Sequence, residues 1–323
     1  MRTGRRIPGL PLWASIIVLA ATSDVYAQAW LPPKGNGTVS VLFSNTLSKD
    51  HFLPDERYDF GHIDANTLLL DVTYGLTDRL TVSFGLPFVA SRYRGSLPHR
   101  PVTLDDGAWH TTAQDLRFGV RYNVVDGPLM VTPFAGSFVP SRGYEYYAHA
   151  APGRGLNEFL TGVSAGRLFS ELGLVVQGSY AFAVSEQALD VPRRYSTASV
   201  ETGYFLTPSL RLMATMSSRI GHTGIDLAPN SGVVLPPEVF RHHDQISRET
   251  FMNFGGSVGF SLTDSIDLFG GYTVTAMGRN THATNRGLSL GIAWGFGSPG
   301  ASASAVTARR EGGLIKCLCQ KAG

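Results

Sequence analysis

Histidines are the side chains of this sequence with the most obvious capacity for chemistry, because imidazole binds metal ions and moves protons near neutral pH. All nine lie in polar segments that predict long loops: His51, His62, His99, His110, His149, His222, His242, His243 and His282. The run RHHDQ, Arg241 to Gln245, together with His222 could supply metal ligands. Adjacent histidines do not share one helix face, however, and no spacing here is diagnostic. We therefore predict no metal site and no cofactor.

A second set of ionisable side chains lies in segments where every other residue is large and apolar. In a β-strand these side chains would all share the face opposite the apolar one. They are Asp71, Asp115, Arg117, Arg121, Glu201, Arg211 and Asp267. Two compatible functions fit them as lumen-lining residues: a network of ion pairs that stabilises an interior, or a polar constriction that selects solutes.

The elements that must position these residues are β-strands. In RGLSLGIAWGFG, Arg286 to Gly297, large apolar residues alternate with Ser, Gly and Ala. The same period of two recurs over Leu68–Tyr74, Leu80–Phe88, Leu116–Tyr122 and Phe254–Leu262. The exposed face of a soluble sheet would carry Lys, Thr and Glu instead. The pattern predicts one face in lipid and one face toward an interior.

Five short turns alternate with six longer polar stretches along the chain. The related sequences YGLTDRL, YFLTPSL and FSLTDSI predict three of the turns, and VVDGP and SELG predict the others. The long stretches cover residues 47–62, 92–111, 139–156, 185–195, 219–249 and 277–285. This alternation predicts twelve strands, with both ends of the chain on the side of the short turns.

Strands of about ten residues, tilted by roughly 45°, cross a bilayer, and only a closed barrel leaves no unpaired backbone edge in lipid. The predicted fold is therefore all-β, a single 12-stranded antiparallel transmembrane β-barrel with short periplasmic turns and long extracellular loops. The alternative, a secreted β-sandwich, would need a more polar outer face. The last strand must pair with the first, around Thr38 to Asn45. Small inward residues on the last strand, such as Gly291 and Ala293, predict free space in the lumen there.

The composition and the chain ends support export to a membrane. Charged residues make up 16% of the chain, against about 25% in typical soluble proteins, and the net charge of +2 argues against a nucleic-acid partner. The basic and apolar start of the chain predicts a signal peptide cleaved after Ala27. We predict four parts: a signal peptide (1–27), an N-terminal periplasmic segment (28–34), the barrel (35–297) and a flexible tail with Cys317 and Cys319 (298–323).

Catalysis is not predicted. Twelve-stranded outer-membrane phospholipases need a histidine on a strand within hydrogen-bond reach of a serine, and no predicted strand contains a histidine. The chain has no G-x-S-x-G motif, and GRGLN, Gly153 to Asn157, is too short to cradle a phosphate. A lipid-modifying hydrolase and a structural or surface-interaction barrel remain as alternatives.

Several segments in order resemble one family: AWLPPKGNGTVSV, YGLTDRLTVSFGLPFV, QDLRFGVRYNV, HAAPGRGLNEF, ETGYFLTPSLRL and TNRGLSLGIAWGF. They are similar to bacterial outer-membrane barrels of the MetA-pathway phenol-degradation, transporter-like group, over Ala29 to Phe296. The resemblance implies an outer-membrane barrel that passes aromatic or other small apolar compounds. It carries no agreed catalytic residues, so it implies none here.

These observations predict a passive channel or uptake protein for small molecules in the bacterial outer membrane. Its expected partners are outer-membrane lipids, a small-molecule solute and the barrel-assembly machinery, which would recognise the last strand. Trp294 and Phe296 would be the insertion signal at the end of that strand.

Overall fold

The computed structural model describes residues 28–53, 56–95, 103–146, 148–227 and 236–297. The predicted signal peptide and the predicted tail with Cys317 and Cys319 lie outside these residues. No helix among the described residues is long and apolar enough to cross a membrane.

The described chain forms one closed antiparallel barrel. Its strands are β1 (Gly37–Phe52), β2 (Arg57–Gly75), β3 (Leu80–Arg94), β4 (His110–Ala113), β5 (Leu116–Tyr122), β6 (Leu129–Val139), β7 (Glu158–Phe169), β8 (Leu174–Ala188), β9 (Val191–Phe205), β10 (Leu210–Gly221), β11 (Thr250–Ser261), β12 (Ile266–Arg279) and β13 (Thr281–Phe296). Both β4 and β5 pair with β3, so they are two parts of one barrel strand. Each strand pairs with its neighbours in sequence, and β13 pairs with β1. The predicted twelve-stranded barrel is confirmed.

The barrel closes as predicted, by pairing of the last strand with the first. Gly37 lies opposite Phe296, and Asn45 lies opposite Leu288. The ring of Phe296 covers Gly37, where an added Cβ would come 2.6 Å from its Cζ. A side chain at position 37 would displace this ring, so the glycine allows the first and last strands to meet closely.

Large apolar side chains form a belt around the outside of the barrel. Every strand of the wall contributes to it, and on β13 the belt runs from Leu288 to Trp294, with Leu290 66% exposed. Aromatic residues predicted to ring the short-turn side do point outward, as Tyr74, Tyr122, Tyr204 and Phe260 show. A continuous apolar surface of this kind is far larger than soluble monomers expose, so the belt is the surface that would face acyl chains.

The five predicted short turns are present, all at one end of the barrel, which we name the turn end. Three of these turns share one hydrogen-bonding arrangement, which explains the repeated Leu-Thr-(Asp/Pro) sequence. The hydroxyl of Thr77 accepts hydrogen bonds from the backbone N–H groups of Arg79 and Leu80, and Thr207 and Thr263 repeat the arrangement. The threonine therefore replaces backbone partners within the turn.

The opposite end, the loop end, differs from the prediction in three of its six connections. Long connections follow β3, β6 and β10, and the last contains α1 (Pro237–Arg241) and α2 (His243–Ile246). A 3-10 turn, Thr103–Asp105, lies in the first. The predicted loops 47–62, 185–195 and 277–285 are instead mostly paired strand. Outside the apolar belt the outer face is polar, so the alternation disappears from the sequence although the backbone remains paired.

Two of these hairpins end in tight turns. Leu189 and Asp190, between β8 and β9, both have positive φ (51° and 58°), as a two-residue type I′ turn requires. Asn280 alone joins β12 to β13, with φ 50°. The first turn contains neither glycine nor asparagine, so the sequence gives little warning of it, whereas Asn280 is a residue type that tolerates positive φ.

The interior contains apolar side chains that the alternation did not predict. Leu42, Leu69, Phe269 and Ala293 form one buried cluster, with Met213 against it. The ring of Phe269 occupies the space beside Gly291, where a Cβ would come 2.3 Å from its Cζ. The predicted free space beside the last strand is therefore filled, because the small residues there accommodate a large one from β12.

Candidate functional site

The seven ionisable side chains predicted to line the lumen all lie on inward faces of the barrel wall. Buried among them are Asp71, Arg121, Glu201, Arg211 and Asp267. Asp115 and Arg117, at the junction of β4 and β5, are less buried and border a cavity toward the loop end. The structure thus divides one predicted set into a deep group and a cavity group.

Three members of the deep group have side-chain partners on other strands, either the adjacent strand or the next one along the wall. Gln177 Nε2 donates to Glu201 Oε2 at 2.6 Å. Arg211 Nη1 lies 3.8 Å from Asp267 Oδ1, which also accepts from the Ser261 hydroxyl at 2.6 Å. A buried charge is costly unless it has a partner or contacts water, and these contacts supply partners.

Asp71 interacts electrostatically with both Arg121 and Arg117. Asp71 and Arg117 pack against Gly85 on β3, where a Cβ would lie 3.2 Å from both Asp71 Oδ2 and Arg117 Cβ. Arg117 in turn lies over the ring of Phe138, with its guanidinium carbon 5.9 Å from the ring centre. Arg117 therefore connects the deep group to the cavity above it.

The chain before β1 enters the barrel at the turn end. Ala29 is completely buried (0% exposed). Its carbonyl accepts a hydrogen bond from Thr132 Oγ1 at 2.6 Å, and its N–H donates to Gln177 Oε1 at 3.3 Å. Trp30 packs against Gly166, where a Cβ would come 2.5 Å from the indole ring. The segment predicted to be periplasmic, 28–34, thus closes the lumen from below.

A cavity of about 430 Å³ lies inside the loop end of the barrel. We name it the chamber. Polar and charged side chains provide much of its lining, including Asp115, Arg117, Arg154, Glu158, Glu249 and His282. Phe138, Ile63 and Tyr146 add apolar surface. The chamber therefore offers both charge and aromatic surface to anything that enters it.

Two long loops cover the chamber and are held by a cluster of arginines and glutamates, which we name the clasp. Glu249, just before β11, pairs with Arg154 of the loop after β6, with Arg193 of β9 at 3.1 Å and with Arg219 of β10 at 3.0 Å. Glu158 takes part through Arg193, at 3.4 Å. One buried carboxylate thus joins two loops to the barrel wall.

The electrostatics of the clasp favour the ionised state of Glu249. Burial alone would raise the pKa of this carboxyl, but the charges of Arg154, Arg219 and Arg193 outweigh burial and hold the pKa well below its usual range. Thr281 Oγ1 also donates to Glu249 Oε1, at 2.8 Å. Glu249 is therefore charged throughout the ordinary range of pH, and the clasp remains intact with it.

The loop after β6 is fastened to a third segment as well. The backbone N–H groups of His149 and Ala150 donate to the carboxylate of Asp105, in the 3-10 turn, at 3.2 and 3.0 Å. The Ser91 hydroxyl of β3 donates to the Ala150 carbonyl. Tyr144 donates to Asp115, and burial followed by this hydrogen bond raises the pKa of its phenol. The loop is thus packed into the mouth of the barrel.

Four histidines that are distant in sequence meet beside the chamber. His51 on β1 and His282 on β13 are cross-strand partners with stacked rings, 4.0 Å between centres. His149 meets His282 edge-on at 5.4 Å, and the ring of His243 in α2 lies 6.1 Å from His51. Asp244 lies among them, 3.3 Å from His243 Nε2 and 3.6 Å from His282 Nε2. We name these five residues the histidine cluster.

Burial and the neighbouring charges set the ionisation of the cluster. Burial lowers the pKa of His51 well below its ordinary range, and His282 lowers it further. Burial alone would raise the pKa of Asp244, but His243 and His282 hold it well below its usual range. For His282, burial opposes the charged form, but Asp244 raises the pKa above its ordinary value. The cluster combines a carboxylate with at least one neutral imidazole.

The other histidines correct two expectations from the sequence. His222 contacts the barrel wall and not the RHHDQ run. Its Nε2 lies 2.7 Å from Ser196 Oγ, and its ring stacks on Phe182. His242 contacts Gln245 and Tyr146 instead of the cluster. Histidines also occur on strands, because the strands extend farther than predicted: His51, His62, His110 and His282.

The pair Ser196 and His222 lies on the outer face of the wall. Ser196 is the cross-strand partner of Phe182, an outward side chain of the apolar belt. The serine hydroxyl is shared with the Tyr180 hydroxyl at 2.7 Å and is covered, since Ser196 is 2% exposed. The sequence argued against such a contact because no predicted strand contains a histidine, yet His222, one residue after β10, reaches a serine of the wall.

The two residues predicted as an insertion signal lie at the turn end of β13. Trp294 is 53% exposed on the outer belt. Phe296 stacks on Tyr74 of β2, with 6.3 Å between ring centres, and lies 5.9 Å from the Trp294 ring. The aromatic residues therefore bridge β13, β1 and β2 where the barrel closes.

Sequence reasoning missed the residues that make the loop end distinctive. Arg154, Glu249 and Arg193 lie in stretches interpreted only as polar loop. The sequence shows charged residues near the ends of strands at these positions. It contains no spacing pattern that would indicate a contact between residues almost a hundred positions apart. Only the closed barrel brings them together.

Comparison with known proteins establishes the fold. No protein-family model matches the chain, and no curated protein matches its sequence. An outer membrane channel from Pseudomonas putida F1 is similar in structure, with a TM-score of 0.65 and 15% sequence identity, over 85% of this chain and 99% of that chain. The NanC porin gives a TM-score of 0.48 at 12% identity, over 79% of this chain and 98% of that chain. The chain therefore has the fold of an outer-membrane β-barrel.

Proposed function

We propose that this protein is an outer-membrane channel that takes up small molecules through the chamber. The observation that carries the proposal is the chamber itself, a cavity of about 430 Å³ inside a closed barrel whose outer face is an apolar belt. A barrel that only anchored surface loops would gain nothing from a lined cavity beneath them. The similar structure from Pseudomonas putida F1 is an outer membrane channel, which agrees with the proposal.

The route has three parts in series. A solute first enters the chamber past the clasp, then meets the opposite charges of Asp71 and Arg121, and finally reaches the N-terminal segment at Ala29. The loop end and the turn end are both covered. Passage therefore requires at least one cover to move, and the N-terminal segment is held by the fewer polar contacts.

The lining of the chamber favours a solute with an apolar ring and a polar or anionic group. Phe138 and Tyr146 offer aromatic surface, and Arg117 and Arg154 offer donors to a carboxylate or hydroxyl. Inward apolar side chains continue beside Phe138, in the cluster of Phe134 and Leu160. This supports the solute class implied by the family resemblance, small aromatic or apolar compounds, as part of the proposal.

Planar-bilayer conductance together with liposome swelling tests the proposal. The solute panel should pair phenol and benzoate with glycerol and glucose of similar size. We expect benzoate and phenol to enter faster than glycerol and glucose, and neutralising Arg117 (R117Q) to slow benzoate more than phenol. The matched control is Arg167→Gln, because the Arg167 side chain lies over Phe169 beside the turn end, away from the chamber. If no solute crosses and no current is seen, the channel is refuted.

A hydrolase is the second candidate, and the Ser196–His222 contact is the observation that favours it. A nucleophilic serine must be accessible, yet Ser196 is covered and shares its hydroxyl with Tyr180. Among the described residues, no carboxylate or amide side chain bonds the other ring nitrogen of His222. We therefore prefer the channel. Release of fatty acid from phospholipid micelles by the wild type, lost in Ser196→Ala, would reverse this preference.

We also propose that outer-membrane lipids surround the apolar belt and that the barrel-assembly machinery recognises the end of β13. The stacked aromatics Trp294 and Phe296, exposed at the end of this strand, support the second part. Phe296→Ser should reduce the folded fraction in the outer membrane, seen as loss of heat-modifiable mobility in gel electrophoresis. Leu290→Ser, a belt change in the same strand, is the control and should assemble better.

A further inference from the structure

Three side chains of the histidine cluster converge on one point beside the chamber. The ligand atoms of His243, Asp244 and His282 all lie within 4.8 Å of one another. His243 and Asp244 belong to α2 in the longest loop, and His282 belongs to the wall at the start of β13. The convergence therefore connects a loop to the barrel by side chains of the types that bind first-row transition metals.

The distances from Asp244 to the two histidines are compatible with metal coordination. Asp244 Oδ1 lies 3.3 Å from His243 Nε2 and 3.6 Å from His282 Nε2. A direct N–H···O bond would prefer about 2.9–3.0 Å. Ligands held about 2.0–2.1 Å from a tetrahedral zinc ion lie about 3.3–3.4 Å apart. Each nitrogen thus lies about one such edge from the oxygen, and the ligand atoms of the two histidines lie within 4.8 Å of each other.

The surroundings of the three side chains would hold them in place and still admit an ion. His51 stacks on the ring of His282 and His149 meets its edge, so the orientation of His282 is fixed from two sides. His243 is buried, but Asp244 and His282 remain 30% and 27% exposed. Both border the chamber. An ion could therefore arrive through the chamber, and a water molecule or solute could take a fourth position.

We propose that His243, Asp244 and His282 form a binding site for one divalent first-row transition metal ion, with Zn²⁺ as the best-fitting probe. Two imidazoles and one carboxylate, with one open position, are a ligand set that zinc accepts. The ion joins α2 to β13 and so fastens the long loop across the mouth of the barrel. His51 and His149 are positioning residues that act through His282. The site is independent of whether the barrel conducts solutes.

The alternative is a metal-free contact in which Asp244 pairs directly with His243 and His282. The two arrangements differ in their response to metal. A metal site saturates at one ion per chain, whereas an ion-paired contact shows no stoichiometric binding. They also differ in what a histidine-to-glutamine change does, because glutamine can hydrogen-bond to Asp244 but is a poor ligand for zinc.

The experiment uses the full chain without a histidine tag, folded in detergent and treated with EDTA. Co²⁺ is titrated while visible absorption reports tetrahedral coordination, and Zn²⁺ is then added in competition. We expect one saturable site per chain. His282→Gln and Asp244→Asn should each weaken binding by more than about 100-fold, because loss of a direct ligand costs more than the roughly 10- to 100-fold effect of losing an outer partner.

The matched control is His110→Gln. His110 also pairs with an aspartate at the loop end, since its Nε2 lies 2.8 Å from Asp106 Oδ1, but it is outside the cluster. It should bind metal as the wild type does. Heat-modifiable mobility confirms that each variant is folded. Absence of saturable binding to the wild-type protein would overturn the proposal whatever the variants do, as would an equal loss in His110→Gln.

Discussion

The two ends of the barrel are closed in physically different ways. At the turn end a single extended segment enters the lumen, held by neutral hydrogen bonds at Ala29 and by packing of Trp30. At the loop end, charged side chains from two loops and two strands are fastened around Glu249. A neutral hydrogen bond contributes about 1 kcal/mol, whereas breaking a buried ion pair costs about 3–5 kcal/mol. The turn end is therefore the easier end to open.

The largest effect should follow from Glu249→Ala, because three arginines would lose their shared carboxylate. We expect the clasp to be destabilised by about 3–5 kcal/mol. Limited proteolysis should then cut the loops after β6 and β10 much faster than in the wild type. Glu238→Ala is the control, since Glu238 is an exposed residue of α1 in the same loop. Unchanged resistance of Glu249→Ala would mean that the clasp does not hold the loops.

A smaller effect is expected from Gly166→Leu at the turn end. The new side chain would overlap the indole of Trp30 and the Cβ of Ala29. Overpacking of this kind costs about 1–3 kcal/mol, so the open population should rise roughly 5- to 150-fold. Single-channel recording should show longer open times. Gly178→Leu is the control, since a Cβ at Gly178 meets only a backbone oxygen at 3.4 Å, and an equal change there would contradict the assignment.

Thr132→Val should open the turn end by a still smaller amount. The change removes the hydroxyl that donates to the Ala29 carbonyl, while the shape of the side chain is retained. The expected loss is about 1 kcal/mol, or roughly fivefold in the open population. Thr161→Val removes a comparable bond to a strand carbonyl, Phe134, and should leave conductance unchanged.

The smallest effect concerns pH. The depressed pKa of Glu249 means that its contribution to stability is fully present above the ordinary value of 4.5 and is lost only as pH falls toward the lower folded-state pKa. Between pH 5.5 and pH 4, where a carboxyl of ordinary pKa takes up most of its proton, the proteolysis rate of the clasp loops should therefore stay constant. A marked acceleration over this range, absent from Glu249→Gln, would show that Glu249 titrates at its ordinary pKa.

The wall of the barrel could be predicted from the sequence because its signals are local. Alternation with a period of two indicates an apolar outer face. The threonines at positions 77, 207 and 263 indicate the short turns, because their hydrogen bonds join residues only two or three positions apart. The pairing of β13 with β1 followed from counting strands and from the need to close an edge in lipid.

The covers at the two ends could not be predicted, since their contacts depend on the closed barrel. His51 and His282 meet only because β1 and β13 are neighbours at the closure. Phe269 fills the space beside Gly291 from another strand, and alternation alone does not distinguish an empty lumen from a filled one. The hairpin turn at Leu189 and Asp190 lacks the glycine or asparagine that usually indicates such a turn in a sequence.

The interruption between β4 and β5 makes the wall mechanically uneven. β1 runs for 16 residues, but β5 runs for only 7. The break lies opposite Pro87, which has no N–H to offer and whose carbonyl accepts from Gln114. Under tension across the wall, fewer backbone hydrogen bonds resist separation of β5 from its neighbours than resist separation at the closure of β1 and β13. The barrel thus has a stiff side where its ends join and a compliant side beside the chamber.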